Sequence, residues 1–434
     1  MIKLNAIEKI FYKLNEAFPF NTFITATLNG HIDKQKLTIA LKILKKKHEL
    51  LNVSINIDSK IDPVFSNDNT NPIPLVQIDN NLDYESKLLN ELHTPFNLHK
   101  DSLVKCFMYA NEYDDVTKIA LVSSHIIADG MSIYMMIKDL LSLYEASDNS
   151  VQIHPQLKHP NSPLQLYPLT NNKEELDDAK KENFKDFNTC KPENSKKSLY
   201  PIRNCRTNFK RYQFNETQTN AIKTYAAKNK LSIQSLIKAI LCLTLSEWIK
   251  EANNSSEEMS INCRTLINLR PYYTPPLQNE QMGNWISKVS FDPFKTTSQS
   301  LLSTAKNIHE TLKDVLKNKT WEDYVYKPSF NTLKGIEFAD RFSKKQAFIS
   351  VSNLGDMDKL IKKQYTTFKL VDIFHCPAVQ GIYANKWGFA VPAVTFNSRL
   401  SLIYTYVTPY QSENQIDEFI SRTLKKMTCI LEKP

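Results

Sequence analysis

The residues with the clearest capacity for chemistry lie in the stretch SSHIIADGMS, where His125, Asp129 and Gly130 form an HxxxDG pattern. Histidine is the side chain whose ordinary pKa lets it accept a proton near neutral pH. A hydroxyl that attacks an activated carbonyl must lose its proton as the new bond forms, so His125 is predicted to be a general base. Asp129 is predicted to fix the loop by pairing with an arginine elsewhere. Gly130 is expected to permit a backbone angle that other residues avoid and to let main chain approach closely.

The HxxxDG pattern by itself is not specific to catalysis. A histidine and an aspartate four residues apart also occur in ordinary loops, where the aspartate closes an Asx turn. A metal site is disfavoured, because the sequence has no HExxH motif and no Cys/His cluster to supply further ligands. The GxSxG elbow of hydrolases, the P-loop and the GxGxxG fingerprint are also absent. The sequence therefore predicts a site without metal and without a tightly bound cofactor.

The elements around the motif are predicted to hold it at the end of a buried strand. Residues Lys118–Ser123 have the composition of a strand, and apolar residues recur at helical spacing from Met131 to Glu145. The motif then occupies the short loop between strand and helix, which is where folded proteins commonly place functional side chains.

The rest of the chain is predicted to be mixed α/β in two halves of similar make-up. Besides the opening helix, further helices are predicted to begin near Asp33, Thr217 and Ser412 and to cover Ser232–Lys250 and Ser298–Asn318. Further predicted strands are Thr22–Leu28, Val53–Ile57, Val104–Tyr109, Asn208–Phe214, Ser260–Leu269, Trp285–Phe291, Gln346–Ser352, Thr366–Ile373, Trp387–Phe396 and Leu400–Val407. The polar stretch at 171–205 predicts a connector between an N-terminal lobe, residues 1–170, which carries the motif, and a C-terminal lobe, residues 206–434.

Composition excludes several classes of protein. A chain of 434 residues with 41% hydrophobic residues can bury two cores. No apolar run approaches the roughly 20 residues that span a bilayer. The seven cysteines include no CxxC pair, so a cytoplasmic location is predicted.

The net charge of +9 is not gathered in a basic stripe, and KILKKKH at 42–48 lies on an amphipathic helix. Nucleic-acid binding is therefore not expected, whereas an acidic partner or anionic cofactor would suit the charge.

The stretch SSHIIADGMSIYMMIKDLLSLYE resembles the active-site segment of the HxxxDG acyltransferase superfamily. That superfamily includes peptide-synthetase condensation domains, polyketide-associated acyltransferases, alcohol acetyltransferases and the plant BAHD enzymes. Three further stretches resemble it in the expected order: INLRPYYTPPLQNEQMGNW at 267–285, ISVSNLG at 349–355 and FNSRLSLIYTYV at 396–407. The resemblance covers nearly the whole chain.

The resemblance implies two chloramphenicol-acetyltransferase-like α/β lobes with a tunnel between them. His125 would lie midway along the tunnel, and Arg270 would be the partner of Asp129, although a surface arginine that ends a strand would also fit the sequence. The N–H of Gly130 would lie near the oxyanion. The tunnel-lining residues would be the following, although turn formation accounts for the Gly and Asn residues equally well: Ser124, Gly283, Asn284, Trp285 and Asn353.

The same resemblance implies transfer of an acyl group from acyl-CoA or an acyl carrier protein's pantetheine arm to a small acceptor. Many condensation domains have two successive histidines where this chain has Ser124 and His125. That departure favours a hydroxyl acceptor, as in alcohol acetyltransferases. Two alternatives stay open: a stand-alone condensation domain that forms an amide with an amine, and a catalytically silent carrier-binding module. The DFGWG motif of the plant enzymes is missing. A monomer is expected, because each chain would hold both lobes of its own site.

Overall fold

The computed structural model describes residues 2–57, 62–79, 83–111, 115–146, 157, 204–254, 260–295, 300–319, 347–380 and 385–432. The predicted connector at 171–205 lies outside these ranges except for its last two residues. The predicted boundaries of the two lobes therefore stay a prediction.

The described residues contain both helices and strands in each half of the chain. The strands are β1 Ile2–Lys3, β2 Asn21–Asn29, β3 Ser54–Ile57, β4 Pro63–Ser66, β5 Leu75–Gln77, β6 Val104–Asn111, β7 Val116–Ser124, β8 Arg206–Gln213, β9 Ser260–Asn268, β10 Ile286–Lys295, β11 Phe348–Asp356, β12 Lys369–Pro377, β13 Gly388–Phe396 and β14 Arg399–Thr408. The α-helices are α1 Ala6–Ala17, α2 Lys34–Lys47, α3 Tyr84–Leu92, α4 Gly130–Ala146, α5 Glu216–Lys228, α6 Ile233–Ala252, α7 Leu301–Asn318 and α8 Glu413–Leu431. Short 3₁₀ turns cover Glu49–Asn52, Arg270–Tyr272 and Met357–Lys359.

The first lobe is built on a five-stranded sheet in the order β12-β2-β7-β6-β5. Its strands pair antiparallel except for β5 and β6. Strand β7, at the centre, is buried along most of its length and ends at Ser124. Strands β2 and β6 hydrogen-bond to β7 on its two sides. This pairing fixes the end of β7 and therefore the backbone position of His125, the next residue.

The second lobe is built on a six-stranded sheet in the order β10-β9-β11-β13-β14-β8. Helix α6 is buried along nearly its whole surface, as its apolar sequence predicts, and contacts α5, α7 and α8. No single helix in the described ranges is long and apolar enough to cross a membrane; α5 and α6 pass that test only as a pair bent by 102°.

The predicted fold class is confirmed: the protein is mixed α/β and has two lobes. One strand departs from the simple division into sequence halves. Strand β12 belongs to the second half of the chain but pairs with β2 in the first sheet. This crossover places residues of both sequence halves around the end of β7.

Candidate active site

A cavity of about 370 Å³ opens beside His125 and is lined by residues from both sequence halves. One wall is apolar and comes mainly from helix α1, through Ile7, Ile10, Phe11 and Leu14. A second group of lining residues comes from β9 and β11 and includes polar side chains. Its polar side chains are Arg264, Asn268, Ser350, Ser352 and Asn353.

His125 follows the last residue of β7 and lines the cavity. Its backbone N–H donates to the carbonyl of Phe20 over 2.8 Å. Its ring lies 4.5 Å from that of Phe11 and 5.2 Å from that of Phe20, measured between centroids. Two aromatic neighbours therefore restrict the tilt of the imidazole while part of it faces the cavity.

Asn284 stabilises the loop that carries His125 and is not among the residues that line the cavity. Its side-chain amide donates to the carbonyls of His125 and Ile126, each over 2.8 Å. Helix α1 is fastened to the same place, because the side chain of Asn5 donates to the carbonyl of Asn284 over 3.2 Å. Asn284 therefore hydrogen-bonds both to the loop that carries His125 and, through Asn5, to the start of helix α1.

Burial lowers the pKa of His125 below the ordinary histidine value of 6.5. Its own backbone carbonyl, the charge of Asp129 and the amide of Asn284 act in the opposite direction but do not outweigh burial. The imidazole is therefore neutral at pH 7, which is the form that can accept a proton.

Asp129 and Arg270 form a buried, bidentate ion pair. Nη1 of Arg270 lies 2.9 Å from Oδ2 of Asp129, and Nη2 lies 3.1 Å from Oδ1. The two side chains are 1% or less exposed. Arg270 also donates to the hydroxyl of Ser132 over 2.9 Å and to the carbonyl of Gln281 over 3.0 Å. Burying a charged pair is costly unless its polar atoms are hydrogen-bonded. Both Nη atoms of Arg270 and both oxygens of Asp129 have partners, whereas Nε of Arg270 has none among the described residues.

The carboxylate of Asp129 also accepts hydrogen bonds from the backbone. It accepts from the N–H of Ser132 over 2.8 Å and from the N–H of Trp285 over 3.0 Å. Burial alone would raise the pKa of Asp129, but the charge and hydrogen bonds of Arg270, together with those of Ser132, lower it below its usual range. Asp129 is therefore ionised and joins the first turn of α4 to the segment before β10.

Gly130 differs from its expected conformation. It is the first residue of α4 and has no left-handed φ, so the predicted unusual backbone angle is not found. A Cβ added to it would instead lie 3.1 Å from Leu354 and 3.8 Å from Nε2 of His375. The other expectation for Gly130 was that neighbouring groups approach it closely, and the short distances to Leu354 and His375 agree with it.

Gly283 is the glycine that needs its conformational freedom here. Its φ is +138°, and a Cβ would lie 2.8 Å from the ring of Trp285. Its carbonyl accepts from the backbone N–H of Asp129 over 3.1 Å. Gly283→Ala is therefore expected to lower the free energy of unfolding by roughly 2–4 kcal/mol, because strain and overpacking coincide.

Urea unfolding of Gly283→Ala measures that loss. Gly355→Ala is a suitable control, because Gly355 also has a positive φ, +84°, but a Cβ there meets nothing within 4 Å. An equal loss in both variants would show that strain alone acts and that the contact with Trp285 contributes nothing.

The structure places the remaining predicted residues in two groups. Asn353 lines the cavity, and its side chain accepts from the N–H of Gly355 over 2.9 Å. The predicted tunnel-lining residues Ser124, Gly283, Asn284 and Trp285 are not among the residues that line this cavity. Ser124, Asn284 and Trp285 are buried behind the histidine loop, because the backbone bonds of the loop need partners there.

Sequence patterns missed His375. It lies on β12, lines the cavity and is 5% exposed. The sequence around it, VDIFHCPAV, has no recognisable motif. Only the pairing of β12 with β2 brings it to the site, so a local signal could not have found it.

The two-lobed α/β fold is shared with condensation domains and acetyltransferases of solved structure. The resemblance to the HxxxDG acyltransferase superfamily is confirmed, because residues 203–373 also match the family described as phthiocerol/phthiodiolone dimycocerosyl transferase C-terminus. That match does not include the HxxxDG residues. No curated protein matches the sequence.

Solved structures of low sequence identity share the fold over nearly the whole chain. Polyketide synthase associated protein 5 from Mycobacterium tuberculosis is 16% identical, with a TM-score of 0.67 over 98% of this chain and 97% of that chain. Trichothecene 15-O-acetyltransferase from Fusarium sporotrichioides is 12% identical, with a TM-score of 0.73 over 99% and 94%. The first condensation domain of the calcium-dependent antibiotic synthetase is 11% identical, with a TM-score of 0.72 over 100% and 96%. These structures show the shared fold, and the family match over residues 203–373 is to a family of transferases.

Proposed function

We propose that this protein transfers an acyl group from a CoA or carrier-protein thioester to a hydroxyl acceptor, with His125 as the general base. The observation that carries the proposal is a neutral imidazole that lines a cavity between residues of both lobes. Neither a redox group nor a metal is required for this reaction.

The chemistry follows from the position of His125. Its unprotonated ring nitrogen takes the proton of the acceptor hydroxyl as the oxygen attacks the thioester carbonyl. The tetrahedral intermediate then collapses, the C–S bond breaks, and the imidazolium returns the proton to the departing thiolate. The products are an ester and a free thiol, and His125 is neutral again.

In this scheme Asp129 has a structural role and does not take part in the proton transfer. Both of its oxygens are occupied by Arg270, and it also accepts from Ser132 and Trp285. A carboxylate with these partners holds the loop between β7 and α4 in one conformation, which keeps His125 within reach of the bound acceptor.

The apolar and the polar residues that line the cavity suit different parts of the substrates. The apolar residues of α1, among them Ile10 and Phe11, suit the hydrocarbon of an acyl chain. Arg264 and the serines of β11 suit polar groups of the acceptor or of the pantetheine arm. Because one chain supplies both groups of residues, action as a monomer is part of the proposal.

The second proposal is amide formation by a stand-alone condensation domain. It is supported by the shared fold with a condensation domain over 100% of this chain. The same base could deprotonate an amine, but Ser124 replaces the first of the two histidines common in such domains. A silent carrier-binding module is less well supported, because such a module has no need of a base, an ion pair and a cavity together.

Thiol release tests the proposal. Acyl-CoA of several chain lengths and a carrier protein loaded with the same acyl groups would be offered with panels of alcohols and of amines. The proposal expects thiol release that depends on an alcohol and an ester product by mass spectrometry. Product with amines alone would establish the amide alternative, and no product with any donor–acceptor pair would contradict both enzyme proposals.

A further inference from the structure

The cavity contains a second histidine, His375, that the scheme above does not use. It reaches the site from β12, which pairs with β2, and β2 pairs in turn with β7. Its ring lies edge-on to Tyr134 of α4, with centroids 5.5 Å apart. Its Nε2 lies against Gly130, 3.8 Å from where a Cβ would stand. The ring of His375 therefore borders the first turn of α4.

Neither ring nitrogen of His375 has a hydrogen-bond partner among the residues that the structure describes: Nδ1 is buried, and Nε2 is the nitrogen that lies beside Gly130. A buried polar atom without a partner costs about 1–3 kcal/mol, and proteins retain such atoms mainly where a ligand, a water or a reaction uses them. An aromatic hydrocarbon side chain would fill the same space without that cost. Packing against Tyr134 thus does not account for a histidine at this position.

The neighbouring helix end supplies matching donors. The first N–H groups of an α-helix have no partner within the helix and carry partial positive charge. In the described structure the N–H groups of Asp129 and Ser132 donate to Gly283 and to the Asp129 side chain. Those of Gly130 and Met131, which both line the cavity, are left for another acceptor.

We propose that His375 is a second catalytic residue, which donates a ring N–H to the thioester carbonyl oxygen while the N–H of Gly130 donates to the same atom. This inference rests on the proposed function. The resemblance already implies the N–H of Gly130 near the oxyanion, and His375 is the donor that this inference adds. Negative charge grows on that oxygen as the acceptor attacks, so donors fixed around it stabilise the transition state more than the bound substrate.

The protonation state of His375 fits a donor. Burial, assisted by the nearby His125, lowers the pKa of His375 to about 3. It is therefore neutral over the working range, so one of its ring nitrogens carries a proton and the ring does not compete with His125 as a base. The two imidazoles have separate tasks: His125 takes the proton, and His375 binds the oxygen.

His375→Phe tests this role, because phenylalanine keeps a ring beside Tyr134 and removes both nitrogens. We expect kcat for acyl transfer to fall about 10²–10³-fold with little change in KM, as for loss of one oxyanion donor. The Tm should stay the same or rise, because an unpartnered polar atom is removed. The acid limb of the pH profile, which His125 sets, should not move.

A matched set of variants separates this role from a structural one. His375→Gln places an amide N–H near the position of Nε2 and is expected to recover part of kcat, whereas His375→Asn, which reaches only the position of Nδ1, recovers less. His93→Phe replaces a histidine of lowered pKa that is not among the cavity-lining residues, and it should leave kcat unchanged.

The outcomes distinguish this inference from the proposed function. If the wild-type protein and His93→Phe turn over but His375→Phe keeps kcat within about three-fold, the oxyanion role of His375 is wrong and the acyltransferase proposal stands. If His375→Phe loses activity only in proportion to a lower Tm, the residue is structural. If the wild-type protein transfers no acyl group at all, both proposals fail together.

Discussion

His125→Ala is expected to lower kcat/KM for acyl transfer by about 10²–10⁴-fold, the range that general-base catalysis contributes. The acceptor would still bind, because the cavity walls are unchanged, but its proton would have to leave without a base. Thiol release from an acyl thioester, measured with a thiol-reactive dye, gives the rate. Loss of kcat should far exceed any change in KM.

Stability must be measured beside that rate. The ring of His125 packs on Phe11 and Phe20, but it borders an existing cavity, so its removal is expected to change the Tm only modestly. His99→Ala is the control, because His99 is exposed and its ring hydrogen-bonds with Asn56. Activity of His125→Ala within a few-fold of that control would contradict the role of the base.

Arg270→Met is expected to lower the free energy of unfolding by about 3–5 kcal/mol. The variant leaves the carboxylate of Asp129 buried without its counter-charge and removes the donors to Ser132 and to the Gln281 carbonyl. The loop that carries His125 should loosen, so kcat should fall as well. Urea unfolding and thiol release measure the two effects.

Two further variants make this prediction specific. Arg270→Met combined with Asp129→Leu removes both charges and is expected to recover much of the stability but not the turnover, because the bonds to the N–H groups of Ser132 and Trp285 are lost. Arg422→Met breaks the more exposed pairs with Glu418 and Glu251 and should cost no more than about 1 kcal/mol. Equal losses in Arg270→Met and Arg422→Met would contradict a structural role for the buried pair.

Local sequence patterns predicted most elements of the fold. The apolar composition of β2 and β7 and the helical spacing after Gly130 indicate segments that the structure buries along most of their length, a signal that neighbouring residues largely decide. Helix starts were also readable, because Asp33, Ser232 and Ser412 each cap a helix by accepting a backbone hydrogen bond.

Contacts between distant parts of the chain were harder to predict. The partner of Asp129 came from the resemblance, and the structure pairs that residue with Arg270, 141 positions away. The crossing of β12 into the first sheet has no local signal, because β12 pairs with β2, a strand near the other end of the chain. His375 was missed for that reason.

The positions of Gly283, Asn284 and Trp285 show a further limit. A Gly-Asn pair indicates a turn, but the sequence does not show which surface the turn contacts. In the structure the side chain of Asn284 bonds the carbonyls of His125 and Ile126, so it supports the site from behind instead of lining the cavity. Buried backbone carbonyls need hydrogen-bond donors. Asn284 meets this need for two carbonyls that are distant in sequence, so its role depends on the folded structure.

The pH dependence of kcat/KM for acyl transfer tests the central claim most directly, because it reports the protonation state of the essential base in the free enzyme. A base must be unprotonated, and burial lowers the pKa of His125 below 6.5. The rate should therefore fall towards low pH with a midpoint below 6.5, the ordinary histidine value, while circular dichroism shows that the fold persists. A rate that still rises with pH through 6.5 and beyond, with a midpoint at or above that value, would contradict a buried, neutral His125 as the base.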